Sequence, residues 1–527
     1  MGSFTGTATL IRLILRRDRI ALLIWIFLLA FLPIGFATSY RGLYPTEAMR
    51  QAFANETNAS SEVALLGRVT SSSLGGLTAW RWSTAAAILL GAFGLITVIR
   101  HTRVEEESGR RELVESAVIG RYASLSAALI VTFAADLLIG ALAAVGLISL
   151  GIPMIGSIAL GLSAAAIGWL FASMAAVAAQ LTQNAGAARG LVGWGLGLLY
   201  LIRVIGDSGV PWLSWLSPLG WMRFVNPFAI ERWWVFGLFF IAIIGLLVLA
   251  YRLSTNRDLD AGFLPERSGP VVAAASLKSP VALAWRLQRS MLSAWVLGFA
   301  LVGTVFGYVA KSGSDQLMAS EGVKAYFEQF GNGSGPSDGF FTLALMILVE
   351  LVAVNALLAA LRLRGEEAAQ RVDPLLAGPV KRLRWATSHL FFAFTGPVAI
   401  LAAFGLTAGL TYGLSVGQST SQLLRVLAAA LAYAPAMWVV AGIATAQFGL
   451  APRWTALSWA TIVVMIFIDL GGEFRFLDQA ILNISPLTHI PRVLLGQGNP
   501  IALIGLTMVA LLFVFSGMVG FKNRDVG

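Results

Sequence analysis

The chain contains 527 residues, of which 57% are hydrophobic and 12% are charged, and it has a formal net charge of +10 and no cysteine. Because about a quarter of the residues in an average soluble domain are charged, this composition excludes a water-soluble globular protein. The lack of cysteine excludes disulfide bonds, thiolate zinc sites and cysteine nucleophiles.

An amphipathic helix over residues 5–19 is the first predicted element. Its Leu and Ile side chains fall on one side and its Arg side chains on the other, as in a helix that lies on the cytoplasmic face of a membrane. Apolar runs long enough to span a bilayer, about 20 residues each, then follow in two sets of six. The first set lies at roughly 20–39, 80–100, 122–150, 155–181, 190–206 and 232–252, and the second at roughly 291–310, 340–361, 385–412, 424–447, 455–471 and 499–521.

We therefore predict an all-α membrane protein with twelve transmembrane helices. The first six-helix half covers residues 1–252, a cytoplasmic linker covers 253–277, and the second half covers 278–527. Most Lys and Arg residues fall in the segments that this topology makes cytoplasmic, so both termini are expected in the cytoplasm. The positive charge then faces anionic membrane lipid, and nucleic acid is not an expected partner.

The two halves are predicted to be parallel repeats, because six helices return the chain to the same side of the membrane. Three internal matches occur in the same order at a nearly constant separation: Arg16–Arg19 with Arg286–Arg289, Gln180 with Gln447, and Ser217–Leu219 with Ser485–Leu487. Two Gly-x-x-x-Gly pairs, Gly193 with Gly197 and Gly303 with Gly307, are predicted to bring helices close together.

A semi-apolar segment precedes the last helix of each half, at 207–231 and at 472–498. Both are too interrupted by Pro to span a membrane and too apolar to lie in water. They are either short helices that dip into the outer leaflet or interfacial loops anchored by aromatic residues. Residues 40–79 and 311–339 are predicted to be polar outer loops.

A charged segment follows the second predicted helix of each half. Residues 103–115 carry many charges of both signs, and a weaker copy lies at 365–381. One charged loop at the same place in each half suggests two docking points for a soluble partner. The alternative is a solvated loop whose charges keep it out of the bilayer.

The sequence shows no catalytic motif. Lys278 and Lys311 each precede Ser but follow Leu and Ala, so neither belongs to a phosphate-binding loop. The three histidines lie far apart in sequence, and no metal site is predicted. The chain is therefore not expected to be an enzyme or to bind a cofactor.

These features resemble a known family of permeases. The basic N-terminal helix, the Glu-Glu-x-x-Gly-Arg-x-Glu-Leu pattern at 105–113 and the Ser-Pro-Leu segment are similar to permease subunits of ATP-binding-cassette exporters of the second type. With two fused halves, and Leu283–Arg289 opening the second, the chain most resembles actinobacterial permeases of polyketide-antibiotic or multidrug exporters. The resemblance implies a bacterial inner membrane protein that exports lipophilic drug-like or antibiotic molecules.

The resemblance also implies a partner. Two copies of a separately encoded cytoplasmic ATPase, which binds the ATP and Mg, would dock on loops 101–121 and 362–384. The implied docking residues are Glu105, Glu106, Glu107, Arg110, Arg111 and Glu112 in the first loop and Glu366, Glu367 and Arg371 in the second. The second loop lacks the Gly-Arg pair and contains Pro374 and Pro379, so its docking role is the weaker one.

The resemblance also implies that the substrate pathway runs along the second and fifth helices of each half. Glu350 lies mid-span in the eighth predicted helix, where a charge costs at least about 2.5–3.5 kcal/mol, so it is expected to face the pathway rather than lipid. The alternative is a protonated or hydrogen-bonded residue that serves packing. Asn355, Trp194 and Tyr200 are further pathway candidates, and the two aromatic residues could instead face lipid. Asp136 is expected to be structural.

Two other classes of protein fit the sequence less well. A twelve-helix proton-coupled secondary drug transporter also has a charged loop after its second helix, but only Asp136 and Glu350 lie deep in the predicted spans here. A membrane scaffold or a glycosyltransferase is disfavoured, because no polar catalytic cluster lies at a membrane face.

Overall fold

The computed structural model describes residues 3–59, 67–107, 119–208, 210–256, 262–263, 272, 274, 276–319, 336–473, 478–496 and 499–524. Throughout these ranges the regular structure is helical. The chain divides into two compact units, Met1–Gly269 and Pro270–Gly527. The division falls within the predicted linker 253–277.

The first unit contains nine helices in its described part. They are α1 (Thr7–Leu43), α2 (Glu47–Ala59), α3 (Leu74–Glu107), α4 (Ala123–Ser149), α5 (Met154–Leu181), α6 (Ala185–Ser208), α7 (Leu213–Leu216), α8 (Pro218–Phe224) and α9 (Val235–Thr255). Helix α5 is central: α3, α4, α6 and α9 all contact it, and α1 packs against α3 and α4.

The N-terminal helix differs from its prediction. Residues 5–19 do not form a separate interfacial helix, because α1 runs without interruption through both the basic part and the first predicted span. No Pro or Gly occurs in α1 before Pro33, so nothing in the local sequence ends the helix at the boundary between the two parts. The polar loop predicted at 40–79 likewise contains a helix, α2.

The described part of the second unit contains nine α-helices and three short 3₁₀ helices, the first of which is Pro452–Leu457. The α-helices are α10 (Pro280–Ala319), α11 (Pro336–Ala368), α12 (Asp373–Leu376), α13 (Arg382–Val416), α14 (Ser419–Leu431), α15 (Ala434–Leu450), α16 (Ser458–Glu473), α17 (Gln479–Leu482) and α18 (Ile501–Asn523). Helices α14 and α15 follow each other directly and together make one apolar stretch, Ser419–Leu450. The break between them precedes Pro435, which lacks the amide hydrogen that a continuous helix needs.

Eleven helical stretches in the described ranges are long and apolar enough to cross a membrane. The chain is therefore a multi-pass membrane protein. The predicted span at 455–471 corresponds to α16, whose 16 residues are fewer than the about 20 that a full crossing needs. The twelve-helix layout remains a prediction.

Each unit repeats the same pattern of helix contacts. In the first unit α1 packs on α4, while α3 and α9 pack on α5; in the second, α10 packs on α13, while α11 and α18 pack on α15. One hydrogen bond is repeated as well. The indole Nε1 of Trp169 donates to the Phe133 carbonyl oxygen at 2.9 Å, and Nε1 of Trp438 donates to the Phe394 oxygen at 2.9 Å. These equivalent bonds support an internal duplication.

The two Gly-x-x-x-Gly pairs have different outcomes. A Cβ atom on Gly303 would lie 2.6 Å from the carbonyl oxygen of Phe404 in α13, and one on Gly307 would lie still closer to the carbonyl oxygen of Ala408 in the same helix. That pair brings α10 and α13 together, as predicted. A Cβ atom on Gly193 or Gly197 would meet nothing within 4 Å in the described part of the chain, so this pair brings no helices together there.

The semi-apolar segments are folded into short helices. Residues 207–231 contain α7 and α8, and 472–498 contain α17 and two short 3₁₀ helices, Pro486–His489 and Val493–Leu495. Short helices are one of the two structures predicted for these segments. Whether they enter the outer leaflet stays a prediction.

Candidate functional site

The charged residues after the second span do not begin a loop. Helix α3 continues through a π-helical turn, Arg100–Val104, and stays helical to Glu107, the last described residue before 119. One extra residue per turn shifts the helix face, and such π turns are often found at functional sites. The first part of the predicted docking loop is thus a rigid extension of a spanning helix. We call Arg100–Glu107 the coupling segment.

The coupling segment is attached to α1 through a buried carboxylate. Asp18 is almost fully buried, and its Oδ2 lies 2.6 Å from Nε2 of His101, while its Oδ1 lies 3.0 Å from an Nη of Arg100. Sequence reasoning did not select Asp18 as a site residue. The available signal was a carboxylate placed among the arginines of a basic helix.

Arg103, which forms a buried ion pair within the coupling segment, also joins that segment to the turn between α5 and α6. Nη1 of Arg103 lies 2.6 Å from Oε2 of Glu106, and both side chains are buried. The other Nη of Arg103 donates to the carbonyl oxygen of Thr182, just after α5. Because the guanidinium group makes both contacts at once, the position of the coupling segment and that of the turn depend on each other.

Two more carboxylates complete the attachment. Glu105 pairs with Arg17 of α1. Glu107 accepts a hydrogen bond from the backbone amide of Ala185 at 2.5 Å, which is the first residue of α6. A carboxylate at a helix N-terminus satisfies a free amide and interacts favourably with the helix dipole, so Glu107 connects the coupling segment to the fifth span.

The remaining docking candidates of the first loop, Arg110, Arg111 and Glu112, lie outside the described residues. Of the three that are described, Glu106 is buried and Glu105 is half-buried, whereas Glu107 is exposed. The described part of the loop therefore serves mainly to join helices of its own unit, and Glu107 is the carboxylate that a partner can reach.

The second loop is attached in a different way. Glu367 lies 2.7 Å from one Nη of Arg524 and 3.2 Å from Nη1 of Arg364. Glu366 lies 3.3 Å from Nε of Arg362 and 3.7 Å from Nη1 of Arg371. Both carboxylates are buried. Among the described residues, these contacts tie the second loop to the end of α18.

Exposure separates the docking candidates of the second loop. The Arg371 side chain is 68% exposed, whereas Glu366 and Glu367 are buried among their own arginines. Arg371 is therefore the described candidate in this loop that a soluble partner can reach.

The four pathway candidates occupy different surroundings. Glu350 is half-buried near the middle of α11. Asn355 is buried, with its Oδ1 3.4 Å from the position of a Cβ on Gly396 of α13, so it lies in a contact between helices. Trp194 is 61% exposed on α6, and the Tyr200 ring lies 5.5 Å from the guanidinium carbon of Arg203.

The described part of the chain contains no group of three or more His, Cys, Asp or Glu side chains that could hold a metal ion. Asp136, expected to be structural, is fully buried and packs against Gly168 of α5.

The described side chains of the coupling segment mainly form ion pairs, with Asp18, with Arg17 and between Arg103 and Glu106. Such contacts between helices suit the transmission of movement.

Comparison with known proteins places these features in context. Residues 277–522 match the family described as "Multidrug efflux system permease Rv1217c, C-terminal domain". The multidrug efflux system permease protein Rv1217c of Mycobacterium tuberculosis (strain H37Rv) is 39% identical to this chain over 527 residues, which are 100% of the chain and 96% of the relative. The similarity therefore covers both units and the coupling segment.

Proposed function

Because this chain belongs to the family of the multidrug efflux system permease Rv1217c, we propose that it is the membrane-spanning permease of an ATP-driven exporter. In this proposal it moves lipophilic drug-like or antibiotic molecules out of the cell. It lies in a bacterial inner membrane with both termini in the cytoplasm. The name of the relative supports export of several compounds, and the family resemblance of the sequence supports the ATP-binding-cassette class.

The attachment of the coupling segment to α6 is the observation that carries the proposal. Glu107 binds the first amide of α6, and Arg103 binds the turn before it. A partner that displaces the end of α3 would therefore displace the fifth span as well. Because the second and fifth helices are the expected pathway helices, this connection would pass the partner's movement to the substrate.

The partner is proposed to be two copies of a separately encoded ATPase, one for each charged loop. That subunit would bind the ATP and Mg, since this chain has no phosphate-binding loop. Glu107 and Arg371 are the exposed candidates that could contact it, and the buried carboxylates would hold the loops in place.

Co-purification with the ATPase tests the proposal. We expect two ATPase copies for each permease and an ATPase rate that rises when a lipophilic substrate is added. Glu107→Lys removes the acceptor at the start of α6, and it should reduce the substrate-stimulated rate at least about 5-fold, the lower end of typical coupling effects. Binding stoichiometry and ATPase rates, both measured in nanodiscs, check these expectations.

Glu47→Lys is the matched control, because it makes the same charge change at an exposed position of α2, far from the coupling segment in the sequence. It should leave the stimulation unchanged. Equal losses in both variants would contradict the coupling role of Glu107. Export that needs no ATPase and follows a proton gradient would instead support the proton-coupled secondary transporter.

Glu350→Gln is expected to impair export of cationic compounds before that of neutral ones. The substitution keeps size and hydrogen bonding and removes the charge that would attract a cation in an apolar span. Accumulation assays with one cationic and one neutral substrate measure the effect. Glu350→Asp keeps the charge and should preserve cation export. If Glu350→Gln exports both substrates normally, Glu350 has a structural role.

A further inference from the structure

A groove runs along one face of α9, the last span of the first unit. Its lining includes Ile244, Leu247, Val248, Tyr251 and Arg252 of that helix and Tyr122 at the start of α4. The lining positions on α9 recur every three or four residues, so they form one stripe along the helix. The groove has an open volume of about 360 Å³, which is within the range of ligand-binding pockets.

The Tyr122 wall of the groove is held in place by the first residues of the chain. The backbone amide of Tyr122 donates a hydrogen bond to the carbonyl oxygen of Ser3 at 2.9 Å, and the amide of Gly120 donates to that of Thr5 at 2.8 Å. The rings of Tyr122 and Tyr251 lie 5.2 Å apart and nearly perpendicular to each other. The two tyrosines therefore support each other across the groove.

The wall formed by α9 is fixed by a hydrogen bond to α4. The Tyr251 hydroxyl lies 2.8 Å from Oγ of Ser126, which is in the first turn of α4. Because both walls are attached to the start of α4, the groove is part of the folded unit and does not depend on a freely rotating side chain.

The groove is apolar at one end and cationic at the other. Ile244, Leu247 and Val248 line the part toward the middle of α9, whereas Arg252 lies in the last turn of the helix and is exposed. Val248 and Arg252 are four residues apart, or about 6 Å along the helix axis. Such a short change from apolar to cationic surroundings matches the boundary between the acyl chains and the headgroups of a bilayer.

Arg252 is available to an anion from outside the protein. Its guanidinium group forms no hydrogen bond or ion pair in the part of the chain that the structure describes. A guanidinium group matches the oxygens of a phosphate with a pair of donors. Tyr122 and Tyr251 stand beside it, as tyrosines commonly do at the interface between membrane and water.

We propose that this groove binds one anionic phospholipid, with an acyl chain along Ile244, Leu247 and Val248 and the headgroup phosphate at Arg252. Charge complementarity favours an anionic lipid over a zwitterionic one, in which an ammonium group offsets the phosphate. Arg252 would repel a lipophilic cation. The topology proposed above also puts this end of α9 at the cytoplasmic leaflet, where anionic lipids attract basic side chains.

Lipid retention tests the site. The purified full-length protein is placed in nanodiscs with equal amounts of phosphatidylglycerol and phosphatidylcholine, and native mass spectrometry counts the lipids that stay bound after release. We expect phosphatidylglycerol to be retained in preference. Arg252→Gln should lower its retention about 5-fold, the attraction that one basic residue contributes near an anionic lipid surface. Arg81→Gln is the matched control, since Arg81 is an exposed arginine of α3 that does not line the groove.

Val248→Trp tests the apolar end without changing a charge. The indole ring would fill the groove, so retention of phosphatidylglycerol should fall at least about 4-fold, the effect of losing contact with one methylene group. Leu249→Trp is the matched control. Leu249 is the next residue of α9, it is 44% exposed against 45% for Val248, and it does not line the groove.

Lower retention in Arg252→Gln and Val248→Trp, with both controls unchanged, would support the site. The proposal is overturned if phosphatidylglycerol is not preferred, or if Arg252→Gln retains as much of it as Arg81→Gln. It is also overturned if Val248→Trp behaves as Leu249→Trp does, because an anion would then bind the arginine with no chain in the groove. Displacement of the retained lipid by added ethidium would assign the groove to a transported compound instead. None of these measurements needs the ATPase, so the proposed export function keeps its own test.

Discussion

Arg103→Met is expected to lower the free energy of unfolding by about 3–5 kcal/mol, the usual cost of removing one partner of a buried ion pair. The side chains of Arg103 and Glu106 are 0% and 3% exposed, so the substitution removes a guanidinium group that pairs with the Glu106 carboxylate away from water. It also removes the donor to the Thr182 carbonyl oxygen. Unfolding of the purified protein in mixed micelles with increasing SDS measures the change.

The double variant Arg103→Met/Glu106→Leu is the control. It replaces the ion pair with apolar groups, and such replacements are often neutral or stabilising, so its stability should return close to that of the unchanged protein. Substrate-stimulated ATPase activity should nevertheless stay low, because the link to Thr182 is absent. A double variant as unstable as Arg103→Met would show that the charges themselves are not the cause of the loss.

The spanning helices could be predicted because each depends on a local property, a run of apolar residues. The predicted spans 122–150 and 155–181, for example, match α4 and α5 to within a few residues. The continuity of α1 was predictable in principle too, since no Gly or Pro separates its basic part from its apolar part. A change from basic to apolar composition indicates a change of environment, and it does not by itself end a helix.

The candidate site was only partly predictable, because its contacts join distant parts of the chain. The sequence identified the charges at 105–107 and 366–367, but it gave no means of seeing that Glu105 pairs with Arg17 or that Glu367 pairs with Arg524. Charged residues near a spanning helix suggest exposure on average. Burial depends on which opposite charge the fold brings close, and that is a tertiary property.

The ion pairs of Asp207 illustrate the same limit. Nε of Arg203 lies 3.2 Å from Oδ2 of Asp207, and the two residues lie four positions apart on α6, a spacing that allows an ion pair on any helix. What makes the pair unusual is Arg223, which comes from α8 and shares the same carboxylate. Since residues 207–231 could be either helices or an interfacial loop from sequence alone, the place of Arg223 could not be predicted.

Asp207→Ala is expected to destabilise the protein by a similar amount, about 3–5 kcal/mol, because it leaves two largely buried arginines without their shared carboxylate. SDS unfolding again measures the change. The triple variant Asp207→Ala/Arg203→Met/Arg223→Met removes the unpaired charges and should recover most of the loss. If it recovers none, the main contribution of Asp207 is the hydrogen bond that its Oδ1 accepts from Oγ of Ser214 at 2.8 Å.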